Sequence, residues 1–205
     1  MASSEHPGSK ATKVFLSINA HTEETTASST SSSSLQFFEE HGYFCQPNAD
    51  IGALIEKLYD EKRAGDKDVN LAYFASVLQS IESMTELLGQ YPNVRPFKEL
   101  WGIVPRSYYS WDNPSTTKNG MIIYLLGPKS KGTCLDASHL RRDDVKELGD
   151  DHTIHAPNNK CTDRFSKAEF DQVDGGILCV HPVLWHKTES GRSIVFGAKR
   201  NDNKR

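Results

Sequence analysis

Cysteine is scarce in this chain and scattered where it occurs. Cys45, Cys134, Cys161 and Cys179 form no CxxC pair, which excludes a zinc knuckle. Residues 1–10 lack the apolar core of a signal peptide, so the expectation is a cytoplasmic chain with reduced thiols. Cys134 and Cys179 sit among strand-like apolar neighbours and read as packing residues. Long apolar runs are also missing. The longest, such as 121–126, are far too short to cross a bilayer, so no membrane partner is implied. No basic block stands out and the net charge is only −3, which argues against a nucleic-acid partner. No internal repeat is visible.

What remains is the composition of an ordinary globular domain. The 205 residues are 37% hydrophobic and 25% charged, enough to bury a core without disulfides or a structural metal. Between His21 and Ser34 the chain is almost entirely Ser, Thr, Glu and Ala, a composition that cannot offset the entropy of ordering. Residues 1–34 are therefore expected to form a disordered tail, with 14–18 as a stray strand or tail motif, and 35–205 a single domain.

Within that domain, 35–42 reads as a short helix with Ser34 as N-cap and Gly42 as its stop. Tyr43 and Phe44 look like the start of a strand. Asp50 is a candidate N-cap for a helix over 51–62, where Ile51, Leu54, Ile55 and Leu58 fall at i, i+3, i+4 and i+7. A longer helix is predicted over 69–88, buried through Leu71, Phe74, Leu78, Ile81 and Leu88 and ended by Gly89. One more helical turn is predicted at 97–101. After Pro105 the pattern changes. Continuous apolar runs at 121–126, 133–135, 177–180 and 193–196, punctuated by Gly, Pro, Asn and Asp, read as antiparallel strands of a barrel or sandwich. Helices first and strands later predict an α+β layout, with the helices on one outer face of the sheet.

Two stretches carry the side chains suited to chemistry: Tyr108–Leu140, with Ser110-Trp111-Asp112 and Ala137-Ser138-His139, and Gly175–Ala198, with Leu184-Trp185-His186 and Gly191-Arg192-Ser193. A neutral imidazole suits Fe(II), and a guanidinium fork suits a carboxylate. Together with Phe37-Phe38-Glu39-Glu40-His41-Gly42-Tyr43 near the start, these phrases resemble, in order, those of the phytanoyl-CoA dioxygenase superfamily. That resemblance covers about Leu35 to Ala198. It implies a double-stranded β-helix, a jelly-roll or cupin-like barrel, with N-terminal helices packed on one face. It also implies Fe(II) and 2-oxoglutarate as cofactors and a small organic substrate of the kind found in secondary metabolism. Asp112 and His186 would hold the iron, and Arg192 with Ser193 the 2-oxoglutarate.

The chain departs from the family where the first two ligands should be. The family has His-x-Asp there. This chain has Ser110-Trp111-Asp112, keeping the aspartate and replacing the histidine by serine, and no His-x-Asp occurs elsewhere. The step from His186 to Arg192 is also shorter than the family's. His139, His152 and His155 stay open as groups that complete a site, and His181 faces away from His186 unless Pro182 turns the chain. Two further functions stay open beside iron-dependent oxidation. One is redox-neutral acid/base work, such as isomerisation or cyclisation, by His186 and Asp112. The other is a non-catalytic small-molecule or protein-binding module. The plain alternative for His186 is a hydrogen-bonded barrel histidine beside Trp185, and for Arg192 a surface ion pair.

Overall fold

The computed structural model describes residues 33–96, 107–111, 119–141, 145–148, 154–157 and 162–200. The tail to residue 32, the helical turn at 97–101, Asp112, His152 and Cys161 lie outside the described residues. The first helix, α1 (Ser34–His41), is capped by Ser33, whose hydroxyl accepts from the Gln36 N–H. The cap thus stands one residue ahead of the expected Ser34. Gly42 ends the helix in the left-handed region at φ 79°, and the chain enters β1 (Tyr43–Pro47).

For α2 (Ala49–Asp60) the cap is Asn48 rather than Asp50. Asn48 Oδ1 accepts from the Ile51 N–H at 2.9 Å. Asp50 lies in the first turn, where its charge complements the positive end of the helix. The single helix expected over 69–88 is two: α3 (Lys67–Gln79) and α4 (Glu82–Gln90). Local hydroxyl bonds compete with the helix at the break. Ser80 Oγ donates to the Val77 carbonyl, and Thr85 Oγ1 donates to the carbonyls of Gln79 and Ile81. Ile81 is extended, which resets the helical phase. The buried apolar positions are therefore Phe74 and Leu78 in α3, then Met84 and Leu87 in α4.

The strands follow: β2 (Asn93–Pro96), β3 (Gly120–Leu126), β4 (Ser130–Leu135), β5 (Val145–Leu148), β6 (Ile154–Pro157), β7 (Lys167–Gln172), β8 (Gly176–Val180), β9 (His186–Ser190) and β10 (Ser193–Lys199). A 3-10 turn at Ser138–Leu140 follows β4. One antiparallel sheet has the order β1-β8-β3-β10-β2, a second β7-β4-β9, and β5 pairs with β6. From β3 the chain crosses to β4, passes through the β5–β6 pair, and then alternates between the two larger sheets over β7 to β10.

The parity of side chains defines three layers. On one face of the five-stranded sheet, Met121, Ile123, Leu125, Ile177, Cys179, Ile194 and Phe196 join Phe38, Ile51, Ile55, Phe74 and Leu78 of the helices in one core. On its other face, Tyr43, Ile122, Tyr124, Leu178, Val180 and Val195 meet Cys134 and Phe170 of the three-stranded sheet in a second core. Burial on both faces is why β3 and β8 are apolar without alternation. The α+β layout and the helices on one face are as the sequence predicts. Cys134 and Cys179 are both buried core residues.

Candidate functional site

His186, the first residue of β9, points into the space between the two sheets and is 0% exposed. Its Nδ1 lies 3.0 Å from the Leu184 carbonyl, and its Nε2 lies 2.8 Å from the Tyr124 hydroxyl. A carbonyl can only accept, so the proton sits on Nδ1, and Nε2 accepts from the Tyr124 O–H. Tyr124 is filled in turn. Its oxygen accepts from Trp111 Nε1–H and faces the Tyr109 hydroxyl at 3.4 Å. The Tyr109 and His186 rings are 4.5 Å apart, and their backbones exchange hydrogen bonds in both directions. Burial lowers the His186 pKa to about 4, so the ring is neutral at physiological pH. Burial pushes the Tyr124 phenol well above its usual range.

Sequence reasoning placed Ser110 and Asp112 beside this histidine. Tyr109 and Trp111 are the residues of that segment whose side chains reach the network. Ser110, fully buried between them, takes the opposite parity of the extended chain. Asp112 lies outside the described residues. Arg192 is not brought to His186. It stands in the β9–β10 turn, where its Nη1 is 3.2 Å from Glu56 Oε2 and 3.4 Å from Asp60 Oδ1, with the guanidinium 5.1 Å from the Tyr59 ring centre. Tyr59 donates to the Ser193 carbonyl at 2.9 Å. The reason is parity: Ile194 faces the helices and Val195 the interior, so Arg192 belongs to the helix side and His186 to the other.

A second cluster forms at the end of the sandwich. His41 Nδ1 is 2.7 Å from Asp136 Oδ1, with the Phe37 ring stacked on His41 at 4.2 Å. His139, in the 3-10 turn, reaches the Glu39 carbonyl through Nε2 at 3.1 Å, and its ring lies 5.0 Å from that of His181. Asp136 thus pairs with His41 rather than with His139. Sequence reasoning missed His41 because its partner is 95 residues away and no local pattern links them. His155 stands on β6 opposite Glu147, an extended setting rather than the helical one that would put it on a face with His152.

The fit of Fe(II) and 2-oxoglutarate can be judged on these donors. Among the described residues, no three His, Cys, Asp or Glu side chains are grouped to hold a metal ion. The Nε2 lone pair of His186 is taken by Tyr124, and the Arg192 guanidinium is committed to two carboxylates. The described residues therefore do not fit that cofactor pair. Among them, too, no helix is long and apolar enough to cross a membrane.

No protein-family model matches the chain, and no curated protein does. Among solved structures, the chain is similar to EctD from S. alaskensis, determined with 2-oxoglutarate and 5-hydroxyectoine, at 12% identity and a TM-score of 0.49, covering 82% of this chain and 75% of that one.

Proposed function

We propose that this chain is a dioxygenase-like protein that serves as a redox-neutral binding module rather than as an iron-dependent oxidase. The observation that carries this reading is how His186 is bonded among the described residues. The ring is fully buried, both nitrogens are hydrogen-bonded, and the Tyr109 and Tyr124 rings pack against it. The order of the phrases that resemble the phytanoyl-CoA dioxygenases supports the kinship, and the two-sheet layout agrees with it. One further feature favours binding at the outer surface, and another argues against a 2-oxoglutarate site. Val69 and Tyr73, one turn apart on α3, are each 56% exposed. Arg192 ties the β9–β10 turn to α2 instead of standing free for a carboxylate.

The test is anaerobic titration of the purified chain with Fe(II) and 2-oxoglutarate, followed by oxygen uptake. The expected result is no stoichiometric iron retention and no oxygen-coupled decarboxylation of 2-oxoglutarate. Tight uptake with decarboxylation, both lost in His186→Ala, would restore the oxidase reading with Asp112 and His186 as ligands.

A further inference from the structure

We propose that His139 and His181 form an acid-sensitive clasp, which holds the α1–β1 junction against the end of the sandwich and loosens when either ring takes a second proton. His139 Nε2 faces the Glu39 carbonyl at 3.1 Å, so Nε2 carries the hydrogen and Nδ1 the lone pair. That Nδ1 is buried and has no hydrogen-bond partner among the described residues. It lies against Gly42, where an added Cβ would come within 2.2 Å of it. A proton placed on Nδ1 meets backbone and finds no acceptor.

His181 is in the complementary position. Its Nδ1 accepts from the Val183 N–H at 3.4 Å, so a proton there sets donor against donor. The rings are 5.0 Å apart, so charging one opposes charging the other.

The pair also sits where three segments meet. The His181 N–H donates to the Gly42 carbonyl at 2.7 Å, and the Ala137 N–H donates to the His41 carbonyl at 3.0 Å. Expulsion of a charged His139 ring would remove the Glu39 contact and leave the end of α1 tied to the turn after β4 only by the Ala137–His41 backbone bond and the His41–Asp136 pair, which loosens the junction.

Other ionisable groups face the pair from each side. From α1 come His41 and Glu39, but the Glu39 carboxylate is held by Arg200 at 3.3 Å. From the turn after β4 comes Asp136, which is held by His41. Burial lowers the His139 pKa and outweighs the Glu39 carbonyl and Asp136, which favour the charged form, while His41 opposes it. Burial first, and then His139, lowers that of His181 to about 4. Both rings bind a proton less readily folded than unfolded. The clasp is thus tight above the ordinary histidine range and weakens as pH falls below it toward the folded-state values.

The test is amide exchange over 37–45 and 136–141, corrected for intrinsic rate, at about pH 7.5 and about pH 5. A local loss of protection of about tenfold is expected on acidification, with β3 amides far less affected. His139→Gln, which keeps a donor for Glu39 and cannot charge, should remove most of that loss. An equal loss in wild type and variant overturns the clasp. Should the variant not fold, the ring proton shifts of wild type decide. Midpoints for His139 and His181 below about pH 6 support it, and midpoints at or above that value overturn it.

Discussion

Tyr124 on β3 and His186 on β9, 62 residues apart in the chain, share a 2.8 Å hydrogen bond that completes the bonding of both side chains. Tyr124 spends its one O–H on His186 and receives the indole N–H of Trp111. The bond stitches the five-stranded sheet to the three-stranded one through a polar contact inside an apolar layer.

Tyr124→Phe removes that centre, taking from the Trp111 N–H its bond to the Tyr124 oxygen and from the buried His186 Nε2 the hydrogen it accepts. A buried acceptor deprived of its donor costs about 1–3 kcal/mol. The expected loss in urea unfolding is about 2 kcal/mol. Tyr109→Phe, which gives up the 3.4 Å contact to Tyr124 and a hydrogen bond with Thr188 but leaves the Tyr124–His186 and Trp111–Tyr124 bonds in place, should cost less. Equal losses in the two variants would show that the Tyr124 hydroxyl is not the hub.

The stability of the chain should fall on mild acidification. The folded-state pKa of His186 is about 4 against an ordinary 6.5, because burial penalises the cation. Above 6.5 the ring is neutral folded and unfolded, and the group contributes no pH dependence. Below 6.5 the unfolded chain takes a proton that the folded chain refuses. Stability then declines until pH nears the folded value, by roughly 3 kcal/mol at most. Unfolding free energies across this window measure it. His186→Gln should have a shallower slope than wild type, and an unchanged slope would sink the assignment.

Gly52 marks the closest approach of α2 to the β7–β8 turn. A Cβ there would stand 1.8 Å from the Asp174 carbonyl oxygen, a backbone atom that cannot rotate away. Gly52→Ala should cost about 3 kcal/mol through forced separation of helix and sheet. Gly65→Ala, where nothing lies within 4 Å, should fall within about 0.5 kcal/mol of wild type. Thermal or urea melts of the two variants give the comparison, and similar midpoints would contradict the packing described.

The sequence by itself determined what depends on neighbours within a turn or a pleat. The i, i+3, i+4, i+7 stripe of α2 specifies a helix with one apolar face. The unbroken apolar run in β3 specifies a strand buried on both sides, because alternation would leave one face polar. Even the cysteines of β4 and β8 were readable as core from their neighbours. The break at Ser80-Ile81 was not readable, since competition between hydroxyl and helix bonds is decided by the packing of Met84 and Leu87 beneath it. The site depended still more on tertiary structure. His186 was legible as an inward residue of the closing strands, yet its role turns on Tyr124 and Trp111, brought to it from other segments. Arg192 follows His186 by six positions, and the turn between β9 and β10 delivers it to the opposite side of the sheet, beside Glu56 and Asp60. His41 and Asp136 meet only because α1 and the turn after β4 end at the same edge of the sandwich. Parity within a strand is a local property. Which face becomes interior, and which distant side chain fills it, is decided when the sheets close on one another.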